Sequence, residues 1–214
     1  LDDQLEIKWY LKGGGVHRDA LIDLVSTTQN QIIAAGDFVG RLSFSEGEEL
    51  NSGDGIGDAF LVSFNQDGEL LWQKNLGGSN FQGIHAIHTT EQSLLVSGSL
   101  ESQLVIENEI ITASSELKRQ VFLGYFDFSG SLNKLEVFPN SAQFFPSQIF
   151  GNTSNFGITG SFANSLLIGN QLFESPSNYQ ALVVHLNVST TPIFNLYKND
   201  LTIHIFPNPA NDFL

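Results

Sequence analysis

Short apolar runs punctuated by Gly, Asn, Ser and Asp recur every ten to twenty residues along this chain. Apolar positions spaced for a helix face are hard to find, whereas β-branched and aromatic runs are common, so the pattern predicts an all-β protein. One run is Ala59-Phe60-Leu61-Val62-Ser63-Phe64. Phe60, Val62 and Phe64 fall on one strand face, yet Leu61 makes the other face apolar too. The same holds for Val121, Leu123 and Tyr125 opposite Phe122 and Phe126. A sheet apolar on both faces has to be covered on both.

The runs repeat in register. Gly36-Asp37-Phe38, Gly98-Ser99-Leu100 and Gly160-Ser161-Phe162 lie 62 residues apart, each preceded by an apolar run such as Ile32 to Ala35 or Leu94 to Ser97. The strand at 59–64 returns at 121–126 and again at 181–186. Gly-bearing turns follow the first two, Asn65-Gln66-Asp67-Gly68 and Asp127-Phe128-Ser129-Gly130, and predict hairpins. Trp9 and Trp72 hold matching places ahead of Gly13-Gly14-Gly15 and Gly77-Gly78. The third copy is degenerate, with Val188-Ser189-Thr190-Thr191 in place of the turn.

A unit of about this length, covered on both faces, predicts about three four-stranded propeller-like blades, an incomplete β-propeller with 62-residue repeats. The competing arrangements are a Gly-rich β-sandwich and a parallel β-helix. Two motifs in register disfavour the first, and a repeat much longer than the roughly 20 to 30 residues of a β-helix coil disfavours the second. The expected divisions are 1–12 as the end of a preceding blade, blades at 13–78, 79–140 and 141–198, and a separate segment at 199–214. Three blades do not close a ring, so the chain is expected to be a piece of something longer or to assemble further.

Taken together, Gly-Asp-Phe, Asp58-Ala59-Phe60-Leu61-Val62, a Gly turn and Leu70-Leu71-Trp72 with its Gly-Gly end resemble the repeats of bacterial β-propellers in large exported proteins. The resemblance spans residues 9 to 193 and weakens along the chain, with Gln120 matching Asp58 and Lys134 or Leu135 matching Trp72. Residues 201–206 alternate apolar and polar before Pro207-Asn208-Pro209 ends the strand, because neither proline can donate a ladder hydrogen bond. The string Pro207, Asn208, Pro209, Ala210 and Asp212 resembles the start of a type A C-terminal sorting domain of the type IX secretion system of Bacteroidetes-like bacteria. That resemblance implies recognition by the type IX secretion machinery and a location that is secreted or at the outer cell surface. It departs from the family in stopping where a second strand should begin.

Charge narrows the partners. With 23 acidic against 9 basic residues the formal net charge is -14, which opposes nucleic acid and anionic membrane surfaces. No stretch approaches the roughly 20 apolar residues of a membrane-spanning helix, so no transmembrane segment is expected. Leu1 opens the sequence with no basic and apolar leader after it, so any signal peptide is expected upstream. There is no Cys, hence neither a disulfide framework nor a thiolate metal site.

Catalytic and metal residues are read as none, and no cofactor is expected. Among His17, His85, His88, His185 and His204 no metal or catalytic spacing occurs, and His85 and His88 would point to opposite faces of a regular strand. On a strict 62-residue alignment His85 matches Asp23 and Ser147, a polar position in an apolar strand that is either a strand edge or the lining of a propeller channel. Gly53-Asp54-Gly55-Ile56-Gly57-Asp58 carries two carboxylates, Asp54 and Asp58, in a Gly-rich loop. It reads as a turn, with calcium chelation the alternative. Glu46, Glu48 and Glu49 read as a solvated loop. The function expected is a non-catalytic interaction, adhesion or scaffold module that presents loops 39–57 and 101–119 to an extracellular protein or glycan. The alternatives are an accessory propeller region of an exported hydrolase or other enzyme whose catalytic domain lies upstream, and a site on the propeller axis using Asp23 and His85.

Overall fold

A computed structural model describes residues 7–45, 47–53, 56–107, 109–113, 119–138, 143–152, 155–168, 171–188 and 201–205, with backbone only at 176–178, 187–188 and 201–205. The described residues form strands and no helix. The first sheet has the order β1 (Asp19–Ser26), β2 (Ile32–Phe38), β5 (Asp58–Phe64), β6 (Leu70–Leu76). The second repeats it with β7 (Gln82–Thr89), β8 (Leu94–Leu100), β11 (Gln120–Phe126) and β12 (Leu132–Phe138). Every pairing is antiparallel.

The stretches 39–57 and 101–119, read from sequence as loops, each contain a hairpin of their own. These are β3 (Arg41–Ser45) with β4 (Glu48–Asn51), and β9 (Gln103–Ile106) with β10 (Glu109–Thr112). Leu42 and Leu50 in one, and Leu104 and Ile106 in the other, are buried, and so anchor the hairpins to the sheets.

In the third sheet β13 (Phe144–Gly151), β14 (Asn155–Ile168) and β15 (Gln171–Val188) take the first three places. Here the projecting hairpin is continuous with the sheet, because β14 and β15 run on past a break in register between Phe162 and Asn164. The fourth strand is β16 (Leu201–Ile205), antiparallel to β15 with Val184 opposite Ile205. The third sheet therefore draws its last strand from beyond the division at 198/199, from the segment assigned by sequence to the following unit.

Burial explains the two-faced apolar pattern. All seven residues of β5 and of β11 are buried. Ile33, Ala35 and Leu61 of the first sheet pack with Ile84, Ile87, Val96 and Phe122 of the second. On its other side the second sheet presents Leu95, Val121 and Leu123 to Phe156, Ile158 and Val184 of the third. Each fully buried Leu or Phe is worth about 1.5–3 kcal/mol in area removed from water, so the two junctions account for much of the fold's stability. The first strands lie side by side, β1 against β7 and β7 against β13.

Two tryptophans make matching contacts, one of them across the junction between the first two sheets. Trp72 on β6 donates its indole N–H to the Phe128 carbonyl, 2.9 Å away, in the β11–β12 turn of the next sheet. Its ring lies over Gly130, whose φ is +83°. Trp9 does the same to the first sheet, donating to the Gln66 carbonyl at 2.8 Å with its ring over Gly68, φ +84°. Both turns are closed by one side-chain oxygen. Asn65 Oδ1 accepts from the backbone of Asp67 and Glu69, and Asp127 Oδ1 from that of Ser129 and Ser131. Lys134 occupies the register position of Trp72 in the second sheet, where it lies over the Tyr125 ring and pairs with Glu136.

Candidate functional site

Each first strand carries a one-residue irregularity near its middle. The register slips between Leu21 and Asp23, between Ile84 and Ala86, and between Pro146 and Gln148. Ile22, His85 and Ser147 are therefore the extra residues, each a β-bulge that bends the strand and re-aims a side chain. This corrects the sequence alignment of His85 with Asp23: the first repeat is offset by 63 residues here, and Asp23 lies one place after the bulge.

The corrected position gives Asp23 a different task. Its Oδ2 accepts a 2.9 Å hydrogen bond from the backbone N–H of Ile87, stitching the first sheet to the second. Thr89 donates to the Ser26 carbonyl at 3.0 Å and Thr28 to the Glu91 carbonyl at 3.0 Å, across the same seam. His88 Nε2 lies 2.9 Å from the Gly151 carbonyl, tying the second sheet to the third. The first strands thus share a line of polar contacts, and Asp23 and His88 are structural members of it.

His85 differs from its equivalents. Burial, helped by the Arg119 guanidinium, pushes its imidazole down to about 4, so it is neutral at pH 7. Its Nε2 is buried without a hydrogen-bond partner among the described residues. Arg119 is engaged with Glu101 at 3.0 Å and lies over the Phe81 ring. Among the described residues His85 and Asp23 are not joined by a hydrogen bond.

The Gly-rich loop places Asp58 at the start of β5, 2% exposed, accepting a 2.9 Å hydrogen bond from Asn75 Nδ2. Asn75 also donates to the Asn51 carbonyl at 3.0 Å. An open cleft of about 340 Å³ lies here, with Asp58, Asn75 and Glu107 along its walls. Glu107 is paired with Lys74 at 2.8 Å, which offsets its charge. Among the described residues, no three His, Cys, Asp or Glu side chains are grouped to hold a metal ion. Asp54 lies outside the described residues, as do Glu46 and the sorting-motif residues Pro207, Asn208, Pro209, Ala210 and Asp212. Glu48 and Glu49 lie exposed on β4, Glu49 facing Arg41 at 3.4 Å.

Near the first Gly cluster, burial raises the Asp37 carboxyl above the usual aspartate range. Arg18 at 3.6 Å works against that shift and Asp19 adds to it. Residues that sequence reasoning did not single out are the turn carbonyls of Gln66 and Phe128 and the bulge itself. The signal for the former was present, since Trp9 and Trp72 are spaced like the turns they contact.

The chain belongs by its architecture to the all-β proteins built of repeated four-stranded antiparallel sheets. No protein-family model matches it, and no curated protein matches it significantly.

Proposed function

We propose that this chain is part of a propeller-like, non-catalytic module of an exported protein that binds an extracellular protein or glycan. The carrying observation is the seam of first strands. β1, β7 and β13 lie side by side, while hairpins fill the space further out, where Leu104 and Ile106 join the core between the first two sheets. First strands packed side by side, with hairpin residues taken into the core between two sheets, fit an arrangement about an axis. In this reading the hairpins are the presenting surface. Ile110 on β10 and Leu172 on β15 are 63% and 53% exposed, and apolar side chains held out on anchored hairpins are suited to a partner.

Export rests on the Pro207 to Asp212 string, and the acid-rich composition keeps the surface away from nucleic acid. Glycan-array and protein-binding measurements on the purified chain test the proposal. Binding that is lost in Ile110→Asp or Leu172→Asp, with an unchanged urea midpoint, is the expected result. Turnover of a polysaccharide or peptide that disappears on replacing His85 or Asp23 in a folded variant would overturn it.

A further inference from the structure

One face of the first sheet has no partner sheet among the described residues. On it Leu21 and Leu24 are 60% and 59% exposed, whereas Ile84 and Ile87, which hold the same register in the second sheet, are each 4% exposed beneath the first. On the same face Phe38, Phe60 and Val62 are buried in a cluster with Leu42 and Leu50 of the β3–β4 hairpin, which leaves the part at the first strand exposed. An apolar face of this kind is buried at both interior junctions.

Residues 7–15 cross the first sheet as residues 70–78 cross the second. Trp9 bonds the Gln66 carbonyl as Trp72 bonds the Phe128 carbonyl. Gly14 bridges Ser43 as Gly77 bridges Val105. Gly15 lies against the Arg41 carbonyl as Gly78 lies against that of Gln103, both too close for a Cβ. One difference remains. β6 is paired along its other edge with β5, but residues 7–13 form no ladder with any described strand.

We propose that residues 7–13 are the fourth strand of a further sheet of this repeat, whose first three strands come from the same polypeptide ahead of residue 7 and pack on Leu21 and Leu24. A second copy of the chain fits less well. Its sheets already have β6, β12 or β16 in the fourth place, where each would collide with residues 7–13. The third and fourth strands of the first two sheets are joined by turns at 65–69 and 127–131, so an antiparallel partner for 7–13 is reached by the chain directly before it. The inference rests on the axial reading above but not on export or ligand binding.

The probe is the chain's own repeat. A copy of residues 16–68 fused ahead of residue 6 supplies three strands in the natural register, and hydrogen exchange is followed at the amides of residues 8–12. Protection rising about 100-fold over the unextended chain is the expected result. Leu24→Asp should then lower the melting temperature of the extended chain alone. Should the extended chain not fold, dye binding by the unextended chain decides: 8-anilinonaphthalene sulfonate fluorescence falling by half or more in Leu21→Ser/Leu24→Ser supports the open face, and unchanged fluorescence overturns it. Equal exchange in a folded extended chain also overturns the proposal. So does a dimer of the unextended chain that protects residues 8–12. Small-angle scattering that fits a flat stack of three sheets would instead sink the axial reading, whatever the exchange result.

Discussion

Replacing Gly130 by Ala tests whether the tryptophan contacts hold neighbouring sheets together. Gly130 has φ +83° and its absent Cβ would stand 3.0 Å from the Trp72 ring. Gly47 is the matched control, with φ +86° and nothing within 4 Å. Both substitutions force Ala into the left-handed region at about 1–2 kcal/mol, part of which is offset by a stiffer unfolded chain. Only Gly130→Ala must also displace Trp72. A shift of a few tenths of an ångström strains the 2.9 Å bond to Phe128 and loosens the indole's packing, together worth up to about 2 kcal/mol. Gly47→Ala is therefore expected to cost about 1 kcal/mol and Gly130→Ala up to about 3, or roughly 2–4 °C against up to 6–12 °C in melting temperature for a protein of this size. Urea unfolding followed by circular dichroism measures both. In the Trp72→Phe background the excess should shrink, since the shorter ring no longer reaches the turn. Equal losses in the two Ala variants, or an excess that persists in Trp72→Phe, would refute the reasoning.

Three further outcomes follow from the same geometry. His85 is held neutral with its folded value near 4, below the ordinary 6.5, so it favours folding above pH 6.5 and that contribution is lost as pH falls towards 4. About 2 kcal/mol should be gone by pH 5, and His85→Ser, which copies Ser147, should flatten the urea midpoint between pH 7 and 5. Leu61, Leu123 and Val183 share one register position but are 0%, 0% and 48% exposed. Leu61→Ala and Leu123→Ala should each cost about 2–5 kcal/mol and Val183→Ala under about 0.5, which equilibrium unfolding will measure. Asp23→Ala orphans the buried N–H of Ile87 and is expected to cost about 1–3 kcal/mol, with faster exchange of that amide read by NMR.

Strand positions in the first two sheets were legible because β5 and β11 carry apolar residues on both faces and their turns carry Asn or Asp with Gly. The hairpins inside 39–57 and 101–119 were hidden. Their strands are four or five residues long, and only Leu42, Leu50, Leu104 and Ile106 sink into the core, too few to make a periodic signal. The bulges were hidden for another reason. An extra residue leaves composition untouched and only moves the phase, so a fixed 62-residue comb misplaces Asp23 by one and exchanges a seam-forming carboxylate with an exposed Ile22. The strand at 201–205 was legible in its alternation, but its place in the third sheet was not, because the third repeat has no Gly turn after β15 and β16 follows only after residues 189–200.

The tryptophan contacts also bear on how such a gene can be lengthened. Trp72 lies in one repeat while the carbonyl and glycine it needs lie in the next, so a copied block cut at the sheet boundary inherits half of each of two joints. A block cut inside the sheet, from just before one tryptophan to just before the next, inherits one complete joint. Where Lys134 has replaced the tryptophan, the following repeat has Val188-Ser189-Thr190-Thr191 instead of a glycine turn, so the two halves differ together at a single joint. The unit of inheritance in this architecture is then the joint, and exchanging sheets between related chains should succeed when the cut respects it.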